Sequence, residues 1–104
     1  MSLTTGLMNA RLMGRRHPDT FELPPEHHLS GIAPGCFAKI CRHHERFWVI
    51  VEATDGATIV GAVNNQLMLR ANADLPIGAL VRFARHHVLD LLPPLEESHG
   101  RSAV

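Results

Sequence analysis

This sequence predicts a small, mainly β or α+β domain. One curled antiparallel sheet of four or five strands, or an SH3-like barrel, is expected, with short helical turns. Three observations lead there. The run Arg46-Phe47-Trp48-Val49-Ile50-Val51-Glu52-Ala53-Thr54 is apolar, β-branched and aromatic, and it ends on the hairpin signal Asp55-Gly56. A second run, Ala57 to Val63, follows at once. The chain has 104 residues, enough for one domain with a thin core that buries about two-thirds of its unfolded surface.

Taken in order, residues 1–18 read as a flexible arm in which Gly6 and Gly14 weaken any helix. Residues 19–93 form the β-rich domain, and residues 94–104 a polar, disordered tail. Pro24-Pro25 can open one helical turn through Leu29. Ala33-Pro34-Gly35 is a turn, and Cys36 to Arg42 is the first strand, with Cys36, Ala38 and Ile40 on one face and Phe37, Lys39 and Cys41 on the other. Arg42 to Glu45 is a hairpin loop.

The next strand, Arg46 to Thr54, puts Phe47, Val49, Val51 and Ala53 on one face and Trp48 and Ile50 on the other. Bulk on both faces suits a strongly curled sheet. The third strand, Ala57 to Asn64, carries Gly61 at its middle, the mark of a bulge or bend. A fourth strand covers Leu80 to Arg85, and a short fifth takes in Val88 to Leu91.

Charge is balanced: ten basic and ten acidic residues, with eight histidines that add positive charge below pH ~6.5. No basic excess advertises a general phosphate-binding surface. Two cysteines make no disulfide framework, and no apolar run approaches the roughly 18 residues of a membrane span. A cytoplasmic, non-membrane protein is the expectation.

The pairs His27-His28, His43-His44 and His86-His87 invite a metal reading. The spacing argues against it: Cys36 and Cys41 fall on opposite strand faces, and neither CxxC nor HExxH occurs. The histidines are expected half exposed in loops and at strand ends. Cys41 with His43 or His86 lacks a nucleophile turn, so its thiol is read as a small core group. No catalytic residue, cofactor or metal is expected.

Small barrels bind single strands through an exposed aromatic ringed by basic residues. Trp48 with Lys39, Arg42, Arg46, Arg82 and Arg85 could form such a face. The competing reading, preferred here, makes the single tryptophan a core residue. Asn64 and Asn65 are read as satisfying loop backbone, with ligand binding as the alternative.

The order Phe21, Pro24, Pro34-Gly35, Glu45-Arg46-Phe47-Trp48-Val49, Gly56, Gly61, Asn64-Asn65, Leu75, Gly78, Phe83, His87 resembles a family of small bacterial proteins of unknown function. The resemblance covers about Phe21 to Leu91, and the Glu45–Val49 segment is its most specific part. Ala79 stands where that family usually has aspartate. The resemblance implies a small curled β domain and no known reaction.

The functional expectation is a non-catalytic binding module whose partner is a protein or a second copy, docked through an unpaired strand edge. A small-barrel nucleic-acid binder is the alternative, and a metal- or thiol-dependent enzyme a remote one. The candidate binding residues are Lys39, Arg42, Arg46, Trp48, Asn64, Asn65, Arg82, Arg85 and His87.

Overall fold

Five antiparallel strands form one open sheet in the order β4-β3-β2-β1-β5 in the computed structural model, which describes residues 2–94. The strands are β1 (Phe37–Arg42), β2 (Glu45–Asp55), β3 (Thr58–Val63), β4 (Leu80–Phe83) and β5 (Asp90–Leu92). Two short helices precede them, α1 (Ala10–Arg16) and α2 (Glu26–Leu29). Single 3-10 turns occupy Arg70–Asn72 and Arg85–His87, neither of which the hydrophobic pattern announces. The sheet does not close into a barrel, because β4 and β5 do not pair. From residue 95 the expected tail lies outside the described residues.

The alternation read from the sequence sets the two faces up to Val51; Ala53, expected on the same face, pairs with Val60 beyond the register shift and is exposed. Ala38, Ile40, Phe47, Val49, Val51, Ile59, Val63, Val81 and Phe83 point inward and are buried together. Leu29 and Ile32 from the α2 region, Leu75 from the β3–β4 connection and Val88 complete this core. The expected irregularity near Gly61 is present, with its extra residue on the partner strand. The β2–β3 register shifts between Val51 and Ala53, opposite Gly61 and Val60. A Cβ at Gly61 would stand 2.9 Å from Val49 Cγ2 and 3.2 Å from the Ile50 carbonyl. Glycine there admits close backbone approach beside the bulge.

The stretch expected as a flexible arm is tied to the sheet. The Thr4 N–H donates to the Arg82 carbonyl on β4 at 2.8 Å, and the Met8 N–H donates to the Cys41 carbonyl on β1 at 2.9 Å. Leu7 bridges Arg42. Three residue steps reach at most roughly 11 Å. In a flat sheet, the positions flanking β4 and β1 would be roughly 24 Å apart. The strap can hold both only because the sheet is strongly curled.

After the strap, Asn9 caps α1 by accepting the Leu12 N–H at 3.0 Å, and Arg15 and Arg16 suit its C-terminal end. Gly14 lets Leu23 lie against this helix, since a Cβ there would meet Leu23 Cδ1 at 2.6 Å. Ala10, Cys41 and Leu89 make a second buried cluster, flanked by Met8, Phe21 and Leu23. This cluster covers one end of the sheet's outer face.

The β1–β2 hairpin turns on two residues only, His43 and His44, at φ +50° and +70°. The backbone there is that of a tight hairpin turn usually built from asparagine and glycine. The carbonyl and side chain of Arg42 and the carboxylate of Glu45, either side of the turn, converge on Asn72. Asn72 Nδ2 donates to the Arg42 carbonyl at 3.0 Å and to Glu45 Oε1 at 3.1 Å. Glu45 also accepts the Met68 and Leu69 N–H groups, at 2.6 and 3.0 Å.

These interactions, led by the Met68 N–H, hold the Glu45 carboxyl below its ordinary value. Their contribution is complete above the ordinary carboxylate range and is lost as pH falls through the depressed value. Asn72 is almost wholly buried. Asn72→Ala is expected to lower stability by about 1–3 kcal/mol, read as a lower urea midpoint at unchanged slope. Asn72→Asp keeps the shape, sets a carboxylate against Glu45, and should cost no less. An unchanged midpoint in both variants would show that the connection is pinned elsewhere.

Candidate functional site

The outer face of the sheet carries one apolar row that crosses all five strands. The register places Leu80 beside Ala62, Ala62 beside Ile50, Ile50 beside Phe37 and Phe37 beside Leu92. Leu80 and Leu92, at the two ends, are 52% and 49% exposed. Ala62 is buried, and Ile50 and Phe37 are half-buried. None of these five residues belongs to either buried cluster, whereas the other end of the same face lies beneath α1 and the Phe21–Leu23 segment.

Beside the row, Phe37, Trp48, Asn64, Asn65, Leu92 and Pro93 line a cleft of about 290 Å³. Trp48 is half-buried on the outer face, so the core assignment is overturned. Strand parity turns its ring away from Phe47 and Val49. The next row of the register sets Lys39 between Trp48 and Asp90. The Lys39 ammonium lies 5.1 Å from the centre of the Trp48 ring, within cation–π range.

The asparagines divide their work. Asn65 Oδ1 accepts the Trp48 N–H at 2.7 Å, and Nδ2 donates to the Gln66 carbonyl at 3.3 Å. This is the loop-satisfying role. Asn64 bonds the Trp48 carbonyl through its backbone N–H at 2.9 Å, and its residue is exposed at the cleft.

The basic residues grouped around Trp48 in the sequence reading are not brought together. Arg42 is buried at the hairpin end. Its Nε donates to the Thr5 carbonyl at 2.8 Å and its Nη1 pairs with Asp74 at 2.8 Å. Arg46 lies over Phe21, 5.5 Å from the ring centre. Arg85 donates from Nε to the Leu29 carbonyl at 3.1 Å and from Nη1 to the Gly56 carbonyl at 3.3 Å. Arg82 sits on β4, its backbone N–H bonded to Thr4 Oγ1 at 2.9 Å. Only Lys39 accompanies Trp48.

His87 is also reassigned, from a half-exposed candidate ligand to a buried structural group. Its Nδ1 accepts the Ala84 N–H at 3.0 Å, so its proton resides on Nε2. The other paired histidines are exposed, and the described residues contain no cluster of three His, Cys, Asp or Glu able to hold a metal. Both cysteines are free, with Cys36 packed against the inner core and Cys41 in the outer cluster. Burial pushes the Cys41 thiol up, partly opposed by Arg46. A thiol held protonated is a weak nucleophile at neutral pH.

No protein-family model matches the chain, and neither the curated proteins nor the solved structures contain a significant match. No helix among the described residues is long and apolar enough to cross a membrane. In the structure Glu45–Val49 form the β2 arm of the β1–β2 hairpin, with Glu45 and Phe47 turned to structural work and Trp48 turned outward.

His87 also sets a pH dependence. Burial, aided by the neighbouring His86, pushes it down to about 4. The ordinary value of about 6.5 applies to the unfolded chain. Its contribution is full above pH ~6.5, declines as pH falls toward 4, and levels off below, because the unfolded chain takes the proton first. The expected loss is about 1–2 kcal/mol once residual solvent access is allowed for. His87→Asn, whose amide oxygen can replace the Nδ1 acceptor, should flatten that part of the stability–pH curve. An unaltered curve would place the dependence on other groups.

Proposed function

We propose that this protein is a non-catalytic binding module that docks protein surfaces through the outer face of its sheet, and that its first partner is a second copy of itself. The supporting observation is the open apolar row Leu80–Ala62–Ile50–Phe37–Leu92. Its residues read almost alike from either end. A two-fold axis through Ile50 sets Leu80 against the second copy's Leu92, small Ala62 against large Phe37, and Ile50 against itself. That is the self-complementarity an isologous contact requires. Lys39 and Asp90, neighbours across β1 and β5, supply opposite charges at the border of the patch.

Edge pairing is the less favoured route. Thr4 occupies the outer edge of β4 at Arg82, and the Asp90 carboxylate accepts the Leu91 N–H on β5 at 2.8 Å. Both devices blunt an exposed edge. The row spans roughly 19 Å across the strands, which is modest beside the ~800 Å² per partner of a standard interface. A weak, concentration-dependent dimer is the expected form.

Sedimentation equilibrium across micromolar concentrations should therefore show the mass rising from 11.5 kDa toward twice that value, with a blue shift of Trp48 fluorescence. Leu92→Asp should weaken association by about tenfold or more, since it buries an unpaired charge against leucine. A chain that stays monomeric throughout would retire self-association. Association that ignores Leu92→Asp and Leu80→Asp would retire this face.

A further inference from the structure

We infer that the protein carries a second, unrelated site: an anion pocket for a small organic phosphate, built between α1, α2 and the 3-10 turn after β4. Arg11, Glu26, Ser30, Arg85 and His86 line a single cavity of about 360 Å³ there. These residues are far apart in sequence and come from three separate elements, so the fold gathers them.

The two guanidiniums in this cavity have no ion-pair partner among the described residues. Arg85 is held by the carbonyls of Leu29 and Gly56, and Arg11 donates from Nη2 to the Pro24 carbonyl. Backbone carbonyls fix a guanidinium without neutralising it. Among the described residues the only ion pair between side chains is Arg42 with Asp74, so Arg11, Arg85 and Glu26 form none. Arg11 Nε is in addition a buried donor with no partner among those residues. Two positioned guanidiniums thus share a cavity whose one carboxylate pairs with neither. Both guanidiniums line the same cavity without an ion-pair partner, and a bound anion would supply one.

The ligand class follows from the shape of the charge. The two guanidiniums enter from different elements, and a tetrahedral phosphate can offer separate oxygens to each. The volume falls within the roughly 300–1,000 Å³ of small-molecule sites and leaves room for an organic group on the phosphate. The apolar part of the lining, Leu29, Ala57 and Ala84, would meet that group. Exposed His86 stands at the cavity with its ring centre 4.2 Å from that of His87.

The test is an amide NMR titration of the full chain with inorganic phosphate and with phenyl phosphate, using sodium chloride at matched ionic strength as the control. The site predicts saturable shifts centred on Ser30, Ala57, Ala84 and Arg85, with phenyl phosphate binding several-fold more tightly than inorganic phosphate. Arg11→Gln should weaken binding by about tenfold, the loss of one charge-assisted hydrogen-bonding partner. Glu26→Gln should strengthen it several-fold by removing the carboxylate. That variant keeps the test decisive if loss of Arg11 disturbs the fold. Shifts reproduced by chloride, shifts that never saturate, or a Glu26→Gln affinity equal to that of the parent would each overturn the proposal.

Discussion

The structure hangs on the end of the β1–β2 hairpin, where Arg42, Glu45 and Asn72 meet. Three otherwise independent segments are joined there. Arg42 draws in the N-terminal strap through the Thr5 carbonyl, Glu45 holds the Met68 and Leu69 N–H groups of the β3–β4 connection, and Asn72 reaches both strands. Each polar group has a specific partner, which is what allows charged side chains to sit at the margin of a small core. Without this knot the long connection after β3 would have little apolar surface to hold it. Met68 and Leu69 are exposed, and among its apolar residues Leu67, Leu75 and the small Ala79 pack against the core.

The knot also explains the curl. A short strap bonded to β4 at one end and β1 at the other admits only a sheet whose margins approach each other. The bulge beside Gly61 provides the bend on β2 and β3. Curling encloses the inner face around Phe47 and Phe83 and turns the outer face toward solvent. With α1 and the Phe21–Leu23 segment covering only one end of that outer face, the rest keeps its apolar row in the open.

The sheet was legible because its strands obey period-two alternation and end on recognisable turns. The inward set from Ala38 to Phe83 can be read directly from the sequence, and so can the outward parity of Trp48 and Ile50. Part of what escaped the reading has a common physical cause. Whether Arg42 is a surface cation or a buried one depends on Thr5, Asn72 and Asp74 lying beside it, and no local pattern encodes partners thirty or more residues away. Arg85 escapes for the same reason, its Leu29 partner lying 56 residues away, whereas the His87 partner Ala84 is local and escapes because the hydrophobic pattern does not announce the 3-10 turn that joins them. The strap looked mobile because Gly6 and Gly14 are poor helix formers. Gly14 instead serves a close approach to Leu23. Trp48 was assigned to the core on composition, although its own parity already pointed outward.

Open apolar surface on a small domain demands a reason, because it lowers solubility and invites aggregation. This chain protects its β4 and β5 edges with a strap and with a carboxylate taking a backbone N–H, yet leaves the row from Leu80 to Leu92 uncovered. The contrast is informative. A fold that merely failed to bury its apolar residues would leave edges and faces exposed alike. Here the devices that block strand addition coexist with an apolar row in which leucines at both ends flank Ala62, Ile50 and Phe37. Association through side chains rather than backbone is selective in shape, whereas an unpaired edge accepts almost any extended chain. The guarded edges thus disfavour promiscuous strand exchange, and the order of the row is the feature on which the proposed self-association rests.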